Sequence, residues 1–543
     1  MRGAQSDAAT ARAAARPGSG GTSRSRRGAR WPLGWLVVVV PALAELLVGG
    51  YRIGSPSLWR DEAATISGSQ RPVSAIAAMV QHEDAVHGPY YLLMHLVIAA
   101  GGISATALRL PSLIAMCLAV GLTAALGRRL AEASGMAAPQ AAGLLAGLAL
   151  TAVPLTTRYA QEARPYALTT LFAVLATYLL VRAVASPRWP WWVLYAAALL
   201  LTGLFSLASM LVVGAHLVSL LLARRMSPAD DAQPVRPPWR RVLVGWLAAC
   251  AATAVLLTPV AVLSAGQSAQ LNWVRTPDLS TIATLFRNFA GTAVLIPVVA
   301  VLAVAGCAEG RGIRRRGGLT LTGIALPWLV LPPALLLAVS LMHPLFVERY
   351  VLFCLPALAL LTSAGLIWIT RMTRRALAGR GLPGNRADLL AAAAPVVLAV
   401  VIAAVLIGPQ RDIRQASARA DNLRAVAGVI ARHELPGDAV LYLPRDTELV
   451  GVAYPAPFRR LRDIGIGRSA VISGTLRGTQ AAPSVVAGRL GQVRRVWTVQ
   501  WAVPLSRTTA PPANQARLLA PMRMIGRWHI QSVILRLYLV RSR

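Results

Sequence analysis

Two adjacent carboxylates carry the first chemistry in this sequence: Asp61 and Glu62, in "SLWRDEAATIS" (Ser57 to Ser67), just beyond an apolar run. A carboxylate within hydrogen-bond reach of a hydroxyl can take its proton as the oxygen attacks, so the pair suits general-base work. Arginines elsewhere supply the complementary charge. Arg158 and Arg164 lie in "RYAQEARPY", and Arg349 lies in "HPLFVERY". Guanidinium groups beside exposed helix amides suit an anion such as phosphate. Each stretch also has a plain reading. The two acids could complement a helix dipole, "RYAQEARPY" could be a turn with Pro165 opening the next helix, and Glu348 could pair with Arg349.

Other chemistries find little support. "HEDAVH" (His82 to His87) spaces its histidines five apart, where a zinc helix of the HExxH type needs four. A looser divalent site (Mg, Mn or Zn) near Asp61 remains the alternative, and no other cofactor is implied. The chain has no Walker loop, GxSxG elbow or DxD pair. A donor would then arrive through lipid. His216, alone in an apolar run, reads as a satisfied buried histidine; Glu45 lies either near the outer interface or in the cavity. Cys117, Cys250, Cys307 and Cys354 lie in or beside apolar runs without a CxxC, and read as small buried hydrophobes.

The elements that must hold these groups are membrane helices. The 543 residues are 56% hydrophobic and 14% charged, with mean hydropathy +0.56; a soluble chain would carry about 25% charged residues. About eleven runs approach the length needed to cross a hydrocarbon core, near 31–50, 108–127, 141–157, 165–182, 191–206, 208–223, 242–264, 291–308, 319–341, 351–369 and 389–408. The piece near 90–100 is too short and reads as re-entrant or interfacial. The net charge of +34 consists entirely of arginine on the basic side, much of it in short loops. It sets topology and argues against a nucleic-acid partner. Residues 1–30 read as a disordered basic cytoplasmic tail, followed by an uncleaved signal anchor. Residues 31–408 form the transmembrane domain, and 409–543 a small extracytoplasmic α/β domain, with "ADNLRAVAGVIARHELPGDA" as helix and "AVLYLP", "RRVWTVQWAV" and "SVILRLYLV" as strands. With the N-terminus inside, Asp61, Glu62, Glu83, Asp84, Glu162, Asp278 and Glu348 all fall in outward loops. Ionisable groups gathered there are candidates for function.

Five motifs occur in order: "SLWRDEAATIS", "DAVHGPYYLLMHL", "LRLPSLIAM", "RYAQEARPYAL" and "ERYVLFCLPAL". Together they resemble the lipid-linked-sugar glycosyltransferases of the GT-C fold, in particular the bacterial branch similar to protein O-mannosyltransferases and to the aminoarabinose transferase of lipid A, with an actinobacterial mannosyltransferase-like subgroup nearest. The resemblance covers about 30–370. It implies an all-α polytopic multi-pass protein of the cell membrane. The reaction would be inverting transfer of a sugar, mannose first and arabinose next, from a polyprenyl-phosphate donor. The acceptor would be a hydroxyl of an envelope glycolipid, polysaccharide or protein. It implies Asp61 as base, with Glu62 orienting or binding the acceptor. Arg158, Arg164 and Arg349 are candidates for the donor phosphate. Asp84, His87, Tyr90, Tyr159, Gln161, Glu162, Tyr166, Glu348 and Tyr350 are candidates for substrate contact. Where relatives show "HPPLYY" this chain has "HGPYY", a departure at His87. The readings from other classes are a carrier of lipid-linked intermediates and a non-catalytic relative whose outer domain binds envelope material.

Overall fold

The computed structural model describes residues 34–225, 239–311, 319–502 and 517–540. The basic tail 1–30 and the stretches 226–238 and 312–318, the latter with three arginines, lie outside them. Within the described residues every expected apolar run coincides with helix, and the chain is a multi-pass helical membrane protein. Among the described residues, seven helices are long and apolar enough to cross a bilayer, nine if each of two bent pairs counts as one span. Leu36–Gly50 and Trp189–Phe205 are shorter apolar helices of 15 and 17 residues.

The bends have local causes. Pro139–Ala152 meets Pro154–Ala160 at 70°, where Pro154 lacks the N–H that would continue the first helix. Leu279–Ala290 meets Ala293–Glu309 at 80° through Gly291, whose φ of 85° favours glycine. Farther on, small residues let two helices touch backbone to backbone. A Cβ on Gly306 would lie 1.9 Å from the Leu361 carbonyl oxygen, and one on Gly365 2.1 Å from that of Leu302. Helix contact through small residues is how bundles pack where lipid removes the hydrophobic drive.

Between Leu36–Gly50 and Ala105–Ala133 the chain makes three short helices, Arg60–Ser69, Val73–Val80 and Gly88–Gly101. The last has 14 residues, too few to cross. These helices pack under a C-terminal unit that begins after the helix Gly384–Asp412, four residues beyond the expected boundary at 408. Its sheet has strands β1 (Ala439–Leu443), β2 (Arg462–Asp463), β3 (Arg495–Trp501), β4 (Arg523–Ile530) and β5 (Val533–Leu539), in the order β2-β1-β3-β5-β4. β1 is parallel to β2 and β3, while β3, β5 and β4 pair antiparallel. The expected helix is Leu423–His433, and β1, β3 and β5 fall on the expected apolar pieces.

One hydrophobic core joins the two parts. Leu58, Ile66, Tyr90 and Met94 of the first loop pack in the same cluster as Leu423, Ile430, Trp497 and Leu535 of the C-terminal unit. Each such buried side chain contributes roughly 1.5–3 kcal/mol, so the loop bearing Asp61 is held by the sheet domain as well as by the bundle.

Candidate active site

The helix Arg60–Ser69 carries Asp61 and Glu62 in its first turn. Residues one apart on a helix point about 100° away from each other, and the two acids enter different surroundings. Glu62 is fully buried, and Arg109 grips it with two bonds of 2.8 Å. The Ala163 amide donates to it at 3.0 Å. Arg109 also donates to the carbonyls of Ile53 and Pro56, at 2.8 and 3.1 Å. Burial raises the Glu62 carboxyl, and Arg109 outweighs that and holds it below the ordinary range. This pair ties the first loop to the bundle and leaves Glu62 closed to a substrate.

Asp61 faces the other way. Its side chain is 21% exposed, and its nearest charged neighbour is Arg349, with N to O at 3.6 Å. That separation is too long for a tight hydrogen bond. Arg164, buried, donates to the Asp61 carbonyl at 3.5 Å and to His87 Nε2 at 2.8 Å. Arginine only donates, so His87 Nε2 accepts, and His87 Nδ1–H donates to Asp84 at 2.6 Å. The Tyr91 hydroxyl closes the chain with a very short bond to the other Asp84 oxygen. Burial raises the Asp84 carboxyl, but His87, Arg164 and Tyr91 together hold it well below the ordinary range.

Aromatic rings wall this group. The Arg349 guanidinium lies 5.8 Å from the Tyr166 ring, 5.9 Å from Tyr350 and 5.5 Å from Trp273, distances at which a cation is stabilised by the ring face. Tyr159 stands edge-on to Tyr166 at 5.4 Å. Among the described residues, Arg164 Nε, Arg349 Nε and the Tyr166 hydroxyl are buried without a hydrogen-bond partner. A donor left unpaired away from water is costly, and three beside one carboxylate make a site shaped for an anion.

Asp61, Arg164, Arg349, Asp84, His87, Tyr159, Tyr166 and Tyr350 thus come together as the sequence suggested. The other candidates go elsewhere. Arg158 pairs with Glu162 at 3.1 Å and donates to the Ala418 carbonyl, while Arg419 approaches the same Glu162 oxygen at 4.0 Å. Gln161 donates to the carbonyls of Gly49 and Tyr51. Glu348 takes a bond from Asn288 and makes no pair with Arg349. Tyr90 lies in the core, edge-on to Phe205. His216 is satisfied by Thr177 and Tyr195, both at 3.0 Å. Arg109, Tyr91 and Trp273 were not anticipated. Arg109 could have been, as an ionisable residue inside an apolar run.

No three His, Cys, Asp or Glu side chains among the described residues are grouped to hold a metal ion. Asp61 faces guanidinium groups, and both Asp84 oxygens are engaged.

Residues 87–231 match the family described as dolichyl-phosphate-mannose-protein mannosyltransferase. No curated protein matches the chain in sequence. In three dimensions it is similar to ArnT from Cupriavidus metallidurans bound to undecaprenyl phosphate, at 16% identity and a TM-score of 0.58, over 93% of this chain and 98% of that one. It is also similar to an Archaeoglobus fulgidus oligosaccharyltransferase tethered with an acceptor peptide, at 13% identity and a TM-score of 0.46, over 86% of this chain and 69% of that one. The arabinosyltransferase EmbB from Mycobacterium smegmatis is similar at 16% identity and a TM-score of 0.43, over 75% and 44%. The likeness to ArnT shows the fold, and the chain has the GT-C architecture that its motifs resemble. The matched family is, by its description, one of mannosyltransferases.

Proposed function

We propose that this chain is a membrane glycosyltransferase that moves a sugar from a polyprenyl-phosphate donor to a hydroxyl acceptor, with inversion. Mannose is the sugar favoured and arabinose the next. One observation carries the reading: a part-exposed carboxylate, Asp61, stands beside two arginines that each keep a buried, unpartnered Nε. The acceptor oxygen attacks the anomeric carbon from the face opposite the phosphate. The bond from that carbon to the phosphate oxygen breaks, and Asp61 takes the hydroxyl proton. The electron pair stays with the lipid phosphate, where Arg164 and Arg349 offset the charge as it develops. Asp84 and His87 act as positioning residues, because they hold the Arg164 guanidinium at one end.

In this reading the site opens to the outer membrane face, with the N-terminus cytoplasmic and the C-terminal unit outside. The acceptor is an envelope glycolipid, polysaccharide or protein. The two bent helix pairs support a second reading, since carriers also use broken helices. A carrier would grip phosphate with the same arginines but would not need Asp61 as a base.

The test uses purified protein in nanodiscs, radiolabelled polyprenyl-phosphate mannose and a membrane acceptor extract, comparing wild type with Asp61→Asn. Transfer by wild type, lost in the variant while donor still binds, is the expected result. Equal transfer by both removes Asp61 as base. Donor binding without transfer by either protein, for the mannose and the arabinose donor alike, favours the carrier.

A further inference from the structure

Away from Asp61, a cavity of about 290 Å³ opens where the ends of Leu36–Gly50 and Gly384–Asp412 meet the start of Leu423–His433. Arg52, Arg411, Arg414 and Arg424 line it together with Ser55 and Gln415. Four guanidinium groups around one small space repel one another. Among the described residues none of them forms an ion pair with a carboxylate. The adjacent Asp412 accepts from the Gln415 side chain at 2.9 Å. Glu45 lies in the neighbouring helix Leu36–Gly50, fully buried, where its carboxyl interacts electrostatically with Arg414 alone of the four.

The cluster is built on fixed backbone. Buried Arg414 donates to the Val48 carbonyl at 2.6 Å and to that of Tyr51 at 3.2 Å. Arg424 donates to the carbonyls of Gly54 and Ser55, at 2.9 and 3.0 Å. Arg52 sits at φ 56°, a backbone conformation that non-glycine residues rarely hold, and donates to the Ser55 hydroxyl at 3.3 Å. The Arg411 side chain makes no hydrogen bond among the described residues. None of the four touches Asp61, Arg164 or Arg349. The two helices ending at the cavity expose apolar flanks, Leu43 and Leu47 on one, Val400, Val401 and Ile407 on the other, so a hydrocarbon chain could lie beside a headgroup held there.

We propose that this cavity is a second anion site, which takes a phosphate group, carried by a lipid headgroup or free in solution. Guanidinium groups bind phosphate by paired, charge-assisted hydrogen bonds, and an anion would relieve the repulsion among the four. The site is independent of the transfer reaction, and its failure would leave the proposed chemistry intact.

The test is native mass spectrometry of the full chain in detergent, titrated with phosphatidic acid or with diacylglycerol of the same chains, which lacks the phosphate. Wild type is compared with Arg52→Gln/Arg411→Gln, which removes two charges and one side-chain hydrogen bond. The expected result is preferential binding of phosphatidic acid, weakened about tenfold or more in the double variant, with diacylglycerol binding unchanged. If the double variant does not fold, Arg411→Gln alone carries the comparison. Inorganic phosphate that displaces phosphatidic acid would assign recognition to the phosphate itself, and lack of displacement would assign it to the lipid form; both support the site. Equal phosphatidic acid binding by wild type and variants overturns it. So does a loss seen only in Arg349→Gln, which would place the anion beside Asp61.

Discussion

The two sides of the helix Arg60–Ser69 make opposite uses of the same chemistry. On one side Glu62, Arg109 and the Ala163 amide form a closed set, fully buried and tightly bonded. On the other, Asp61, Arg349 and Arg164 stand together with long contacts and unfilled donors. A closed set adds rigidity and can touch nothing more. An open set has bonding capacity in reserve, and that capacity is what a substrate and its transition state can fill. Adjacent carboxylates of like type therefore serve different ends, one holding the loop and one facing the chemistry.

The sharpest way to break this comparison is to neutralise each acid in turn. Asp61→Asn is expected to lower the transfer rate by about 10²–10⁴ with an unchanged unfolding temperature. Glu62→Gln leaves a buried guanidinium without its counter-charge, and should cost roughly 3–5 kcal/mol of stability. Rates and thermal unfolding of both variants would show whether the two losses separate; a stability loss in Asp61→Asn would undo the distinction. Arg349→Gln tests the open side from the other partner. Removing one preorganised charge should slow transfer by about 10²–10³, and the donor should bind less tightly.

A smaller effect is expected one step outside. Asp421 accepts from the Arg60 backbone amide at 3.0 Å and from its guanidinium at 2.8 and 2.6 Å. Arg60 stacks 3.9 Å from the Trp501 ring. The C-terminal unit thus grips the residue next to Asp61. Asp421→Asn should lower kcat by about tenfold, through misplacement of Asp61, with KM for the donor little changed. A KM effect equal to the kcat effect would mean that Asp421 acts on binding and not on the position of Asp61.

Much of this was legible in the sequence, for physical reasons. Apolar runs of membrane length leave few alternatives to helix, and among the described residues all eleven expected runs coincide with helix. The motif "SLWRDEAATIS" marked the first loop, and the arginines of "RYAQEARPY" and "HPLFVERY" marked an anion site. What periodicity could not show is which acid faces which way. Asp61 and Glu62 look alike until Arg109, forty-seven residues on from Glu62, is placed against one of them. Arg158 and Arg164 look alike until Glu162 takes the first. Strand β4, "RMIGRWHI", was missed because its two arginines and a glycine obscure the pattern of an exposed edge. Asp278 fell among the outward acids, yet it only caps the helix Leu279–Ala290, bonding the Thr281 amide at 2.9 Å. The long-range pairs of Asp421 with Arg60 and of Arg477 with Glu83 join segments hundreds of residues apart, and no local pattern announces them.

The mildest prediction concerns pH and again divides the two sides. The folded state holds Glu62 below its ordinary value of 4.5, so the stability this group contributes is present above about pH 4.5 and is lost as pH falls through the depressed folded value. The stability gap between wild type and Glu62→Gln should therefore be constant from neutral pH down to about 4.5 and narrow below it. Thermal unfolding of both proteins across that range measures the gap directly. A gap that persists unchanged well into acid would mean that Glu62→Gln is destabilising through shape and hydrogen-bond loss, and that the charge on the closed side contributes little.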